Sequence, residues 1–155
     1  MKQSENLVIN TTFGFFIFYM IYLNYNSLLN SQVDFCMSIL AIAISIMLLL
    51  SKNTVVLDIS HFLYCLIYLF TVGFMSENSY LLGLNIVMIS VIIFTRYYFN
   101  GCLLNEKQKH EGYFSDLNDK VKKYLVFWNW DYLFPFVGLV SLGRFINLKG
   151  YKPNI

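Results

Sequence analysis

Apolar positions in this chain fall into long blocks rather than into short helical or strand periods. Four runs, at approximately 7–23, 33–50, 54–75 and 80–99, are nearly free of charge. At about 1.5 Å per residue each is long enough, as a helix, to cross about 30 Å of hydrocarbon. The links between them, NYNSLLNSQ, SKN and SENS, are short and rich in Ser and Asn, as turns are. Short links force antiparallel neighbours. The pattern predicts an all-α, integral membrane, up-down four-helix bundle over residues 1–104.

Beyond the fourth run the pattern changes. Residues 105–131 form a polar loop followed by SDLNDKVKKYLVFW, in which Leu117, Val121, Tyr124, Leu125 and Trp128 share one helical face. Ser115 is placed to cap it, and Asp116–Lys120 and Asp119–Lys123 are spaced as i,i+4 pairs on the other side. This predicts a juxtamembrane amphipathic helix. Lys120, Lys122 and Lys123 would face anionic lipid, with Trp128 and Trp130 in the interface. Residues 132–155 begin with a third pattern, apolar but short and interrupted by Pro135 and Gly138. Its brevity favours a re-entrant or interfacial segment, with a fifth span as the alternative.

Composition agrees with the blocks. Of 155 residues, 57% are hydrophobic and 13% charged, where a soluble domain averages about 45–50% and about 25%. The three cysteines, Cys36, Cys65 and Cys102, show no CxxC spacing, which argues against a disulfide framework. No small-x-small cleavage site follows the first run, so it reads as a retained span rather than a signal peptide. The net charge of +2 matters through its placement. With four spans, all 11 basic residues lie on one side, and the other side carries Asp34 and Glu77. The positive-inside rule then puts the N-terminus and the basic loops in the cytoplasm, in an integral, multi-pass arrangement. A fifth crossing would move Arg144, Lys149 and Lys152 outside. Lys and Arg around 107–123 are interleaved with acids, which argues against nucleic acid as a partner.

Candidate chemistry is confined to a few intramembrane residues. Asp58 lies nineteen residues before Glu77, at the turn between the third and fourth runs, and Arg96 nineteen after it. Antiparallel helices of equal rise bring the two to one depth. Each charge is expensive in lipid, so an Asp58–Arg96 ion pair is one expectation, and Arg96 reaching to the headgroups is the other. His61 lies one turn deeper than Asp58 and Cys65 one turn further. That stripe invites a proton carrier or a metal ligand set. One helix supplies too few ligands, however, and no metal or cofactor is expected. With Asn10 at the head of the first run and Cys102 after the fourth, Asp58, His61 and Arg96 form a candidate polar cluster. No nucleotide-binding loop, HExxH or GxSxG is present.

The segments LDISH, NGCLLNEKQ, EGYF and YLFPF, in that order over the second two thirds of the chain, resemble an uncharacterised family of small four-helix bacterial membrane proteins. That family carries an intramembrane Asp and His one turn apart, then Cys-Pro-Leu-Thr followed by Glu, a Gly-Tyr or Gly-Phe segment and a Pro-containing apolar C-terminus. Here Leu103 stands for the Pro and Asn105 for the Thr. Glu106 comes early, with Gln108 at the acid's place. The resemblance implies that Asp58, His61 and Cys102 share one cytoplasm-facing site, and it implies no activity.

Three functions fit these residues. The first is a non-catalytic accessory, assembly or immunity-like component binding another membrane protein, or itself, within the bilayer. The second is a small oligomeric channel or transporter using Asp58, His61 and Arg96. The third is a membrane enzyme acting on a lipid or quinone in the cytoplasmic leaflet, with His61 as base and Cys102 as thiol. The lack of large catalytic motifs favours the first.

Overall fold

The computed structural model describes residues 3–29, 31–99, 101, 102, 104, 120 and 129–150. Every element among them is helical: α1 (Gln3–Tyr25), α2 (Gln32–Leu50), α3 (Thr54–Met75), α4 (Ser79–Tyr98) and α5 (Trp130–Gly150). The first four are long and apolar enough to cross a membrane.

Short polar side chains set where the helices begin. Ser31 Oγ accepts from the Asp34 amide at 3.0 Å. Asn53 Oδ1 accepts from Val55 and Val56, and Asn78 Oδ1 from Tyr80 and Leu81. Each cap satisfies amides that a helix start leaves without partners. Asn78 also donates from Nδ2 to the Leu28 carbonyl at 2.7 Å, tying the α3–α4 turn to the α1–α2 turn. At the latter Ser27 takes a left-handed conformation, φ 52°, which lets the chain reverse after α1.

The core is built on aromatic contacts between α1 and α3. Phe13 and Phe16 meet the Tyr64 ring edge-on at 5.2 and 5.6 Å, and Phe16 meets Tyr68 at 4.9 Å. Outside this core many large apolar side chains are exposed, among them Phe18, Tyr25, Phe94 and Leu139. That surface is costly in water and inexpensive in lipid.

Two features depart from the sequence reading. α3 is not uniform: residues Tyr64–Phe70 form π-helix between α-helical Thr54–Leu63 and Thr71–Met75. Within this stretch the Leu69 carbonyl accepts a hydrogen bond from Asn85 Nδ2 of α4 at 3.0 Å. The second departure is the C-terminal segment, which neither re-enters nor turns back. α5 is one uninterrupted 21-residue helix antiparallel to α4. Arg96 meets Asp131 at one end, Gly138 packs on Ile89 midway, and Lys149 lies over the Tyr80 ring at the other end. Pro135 sits in its second turn, where the missing amide costs one bond without stopping the helix. Arg144 donates from Nη1 to the Phe74 carbonyl at 2.6 Å and from Nη2 to the Ser76 carbonyl at 2.7 Å. Those are carbonyls that the end of α3 leaves over, so this cation belongs to the bundle. The amphipathic helix expected around 115–128 lies outside the described residues, apart from Lys120, which is helical and exposed.

Candidate functional site

The end of the bundle where α1 and α3 begin and α4 stops holds the candidate site. On α1, Val8, Ile9, Thr12 and Phe13 share one face. On α3, His61 is followed one turn on by Tyr64 and Cys65, and on α4 Met88 is followed by Val91 and Ile92 and then by Thr95 and Arg96. Together with Cys102, Leu104 and Phe134 these side chains enclose a mostly apolar cavity of about 60 Å³. In it, Cys102 Sγ lies 3.6 Å from His61 Nε2, within hydrogen-bonding range for sulfur. Tyr64 is 1% exposed, and its hydroxyl has no hydrogen-bond partner in the structure.

A second, more polar cavity of about 330 Å³ lies on the same end, lined by Ile93, Arg96, Tyr97, Gly101, Trp130, Asp131 and Phe134. Arg96 and Phe134 belong to both walls. Arg96 is held there: it donates from Nε and Nη2 to Asp131 Oδ1 at 3.0 and 2.6 Å, and its guanidinium sits 5.9 Å from the Phe134 ring centre. An apolar inner chamber therefore adjoins a more polar outer one, with the Arg96–Asp131 ion pair beside the shared wall.

The sequence candidates separate accordingly. His61 and Cys102 are in contact, and Arg96 lines the same cavity. Arg96 pairs with Asp131, a residue that the depth argument did not consider. Asp58 is buried in α3 and is not part of the cavity wall. Asn10 is exposed: with Ile9 and Phe13 turned inward, 100° per residue carries position 10 away from the cavity, and Thr12 lines it instead. Trp130, expected at the membrane surface, is half-buried between Phe70 (6.2 Å, edge-on) and Phe134 (5.3 Å, stacked). Lys122, Lys123 and Trp128 lie outside the described residues. No group of three or more His, Cys, Asp or Glu that would hold a metal occurs among the described residues.

Asp131, Phe134 and Tyr64 were not singled out from the sequence. Asp131 has a signal, being an acid just before an apolar segment whose brevity disfavours a span. No family model, curated protein or solved structure matches the chain. The chemistry of the site is therefore argued from its own residues.

Proposed function

We propose that this protein is a multi-pass membrane protein that binds a small amphiphile, a few apolar carbons with a polar head, at the end where α1 begins. The observation that carries this reading is the pair of adjoining cavities. The apolar inner chamber suits an apolar group of a few carbons, and the outer one, whose wall carries the Arg96–Asp131 pair, suits a polar head. His61 and Cys102 would then contact the apolar group near its head. In this reading the basic end faces the cytoplasm and α5 is a fifth crossing. Its length of about 31 Å supports that, at 1.5 Å rise per residue for its 21 residues.

A short-chain alcohol bearing a diazirine, photolysed with the full chain in nanodiscs, tests the reading. Cross-links are expected on the residues that line the inner cavity. Thr12→Trp, which fills that cavity from α1, should reduce them at least fivefold. Cross-links spread evenly over lipid-facing residues, and unchanged by Thr12→Trp, would refute it.

A further inference from the structure

The outer cavity carries one cation and one anion side by side, and their bond engages only part of each. Arg96 donates from both Nε and Nη2 to the same oxygen, Asp131 Oδ1. A guanidinium offers five N–H groups and a carboxylate two oxygens. Those two bonds therefore leave Arg96 Nη1 and Asp131 Oδ2 outside the pair. Both side chains are partly open to solvent, Asp131 more than Arg96, so a molecule entering the cavity can reach either.

Such a wall discriminates by charge. A lone anion drawn to Arg96 meets the carboxylate beside it, and a lone cation drawn to Asp131 meets the guanidinium. A zwitterion sets its anion against Arg96 and its cation against Asp131, and meets no like charge. Tyr97 and Trp130 line the same cavity, and aromatic faces accept an ammonium group. Across the wall that Arg96 and Phe134 share, the inner chamber of about 60 Å³ takes an apolar group of a few carbons and no more.

We propose that the ligand is a free α-amino acid with a small aliphatic side chain, of the size of valine. This rests on the small-amphiphile reading and names the class of that amphiphile. The α-carboxylate binds Arg96 and the α-ammonium binds Asp131 in the outer cavity, and the side chain enters the inner one. In an α-amino acid the carbon that bears both charged groups also bears the side chain. Head and apolar group are thus as close together as two chambers with a common wall require. A zwitterionic phospholipid holds its charges several atoms from its apolar part, and its chains exceed the inner chamber.

Tritiated L-valine and the full chain in nanodiscs, in a scintillation proximity assay, provide the test. Saturable binding is expected, displaced by unlabelled valine. Isobutylamine is valine without its carboxylate, and isovalerate is valine without its ammonium. Each should compete at least tenfold more weakly, having lost one charge-assisted contact. Glycine, which leaves the inner chamber empty, and phenylalanine, whose ring exceeds it, should also compete at least tenfold more weakly. Arg96→Gln and Asp131→Asn should each weaken valine binding at least tenfold. Thermal unfolding shows whether each variant is folded, and the competition series needs no variant at all. A wild-type chain without saturable valine binding overturns the proposal. So does a series in which any of the four analogues matches valine, or binding that ignores both substitutions. If the diazirine alcohol still labels the inner cavity in those cases, amphiphile binding survives and the amino acid falls. If it does not, both fall.

Discussion

Arg96 is the residue whose environment most changes the picture of the site. A guanidinium near the end of an apolar helix can spend its charge on lipid headgroups, on solvent or on an acid. Here it takes Asp131, and the Phe134 ring beneath it gives a second contact to the same turn of α5. Its side chain is 23% exposed and that of Asp131 58%, so the pair is screened and contributes at most about 1 kcal/mol. Its value is positional, holding the wall shared by the two cavities. In a double-mutant cycle read by thermal unfolding in detergent, Arg96→Ala and Asp131→Ala should couple, the double variant losing less than the sum by up to about 1 kcal/mol. Strict additivity would show that the contact does not stabilise the fold. His61 and Arg96, both legible in the sequence, line the same cavity. Asp131 was missed because depth matching was applied only within the α3–α4 hairpin, whereas the partner lies 35 residues away on a helix that was not expected to run beside α4.

Among the elements, α3 shows how close packing and an irregular backbone go together. Its π-helical stretch ends at Phe70, and Gly73 follows one turn later at a close approach between α3 and α5. A Cβ at position 73 would stand 2.8 Å from Val137 Cγ1, 2.9 Å from Ser141 Oγ and 3.3 Å from Asn85 Nδ2. Asn85 is fully buried and donates to both the Leu69 carbonyl and Ser141 Oγ, so three helices share one polar knot in an apolar interior. Gly73→Ala should therefore part α5 from α3 and cost about 1–3 kcal/mol. Gly14→Ala and Gly143→Ala, whose new methyls meet nothing within 4 Å, should be neutral or stabilise by up to about 1 kcal/mol. Unfolding temperatures of the three variants decide it, and equal effects would sink the packing argument. The helical segments were legible in blocks of apolar residues and in the Asn and Ser caps. The π-helical stretch was not, because YCLIYLF has an ordinary helical composition and the extra residue per turn is fixed by neighbours on other helices.

At the scale of the whole molecule, α5 sets charge against geometry. Four spans put every Lys and Arg on one side, a distribution that weighed against a fifth crossing. Five spans leave eight on the side of the N-terminus and put Arg144, Lys149 and Lys152 opposite. The structure gives two of these three a reason to be there. Arg144 is bound to the Phe74 and Ser76 carbonyls at the end of α3, and Lys149 lies 6.0 Å from the centres of both the Tyr80 and Phe145 rings. Cations used in this way are held by the protein, and the remaining excess of eight over three still satisfies the charge rule for the short loops. A helix antiparallel to α4 from Asp131 to Lys149 can lie in the interface only if α4 does too, and α4 has the length and hydropathy of a span. The proposed fifth crossing, by a helix that does not itself have the hydropathy of the first four, predicts the two chain ends on opposite faces. In a Cys36→Ser/Cys65→Ser/Cys102→Ser background, one cysteine added before Met1 and, separately, one added after Ile155 would be exposed to a membrane-impermeant maleimide in sealed cells and in inverted vesicles. The N-terminal cysteine should label only in inverted vesicles and the C-terminal one only in sealed cells. Both labelling from the cytoplasmic face would return α5 to the inner side. Arg144→Ala should loosen the far end of α5, with a lower unfolding temperature and unchanged labelling sides, because α5 is also held by its packing on α4.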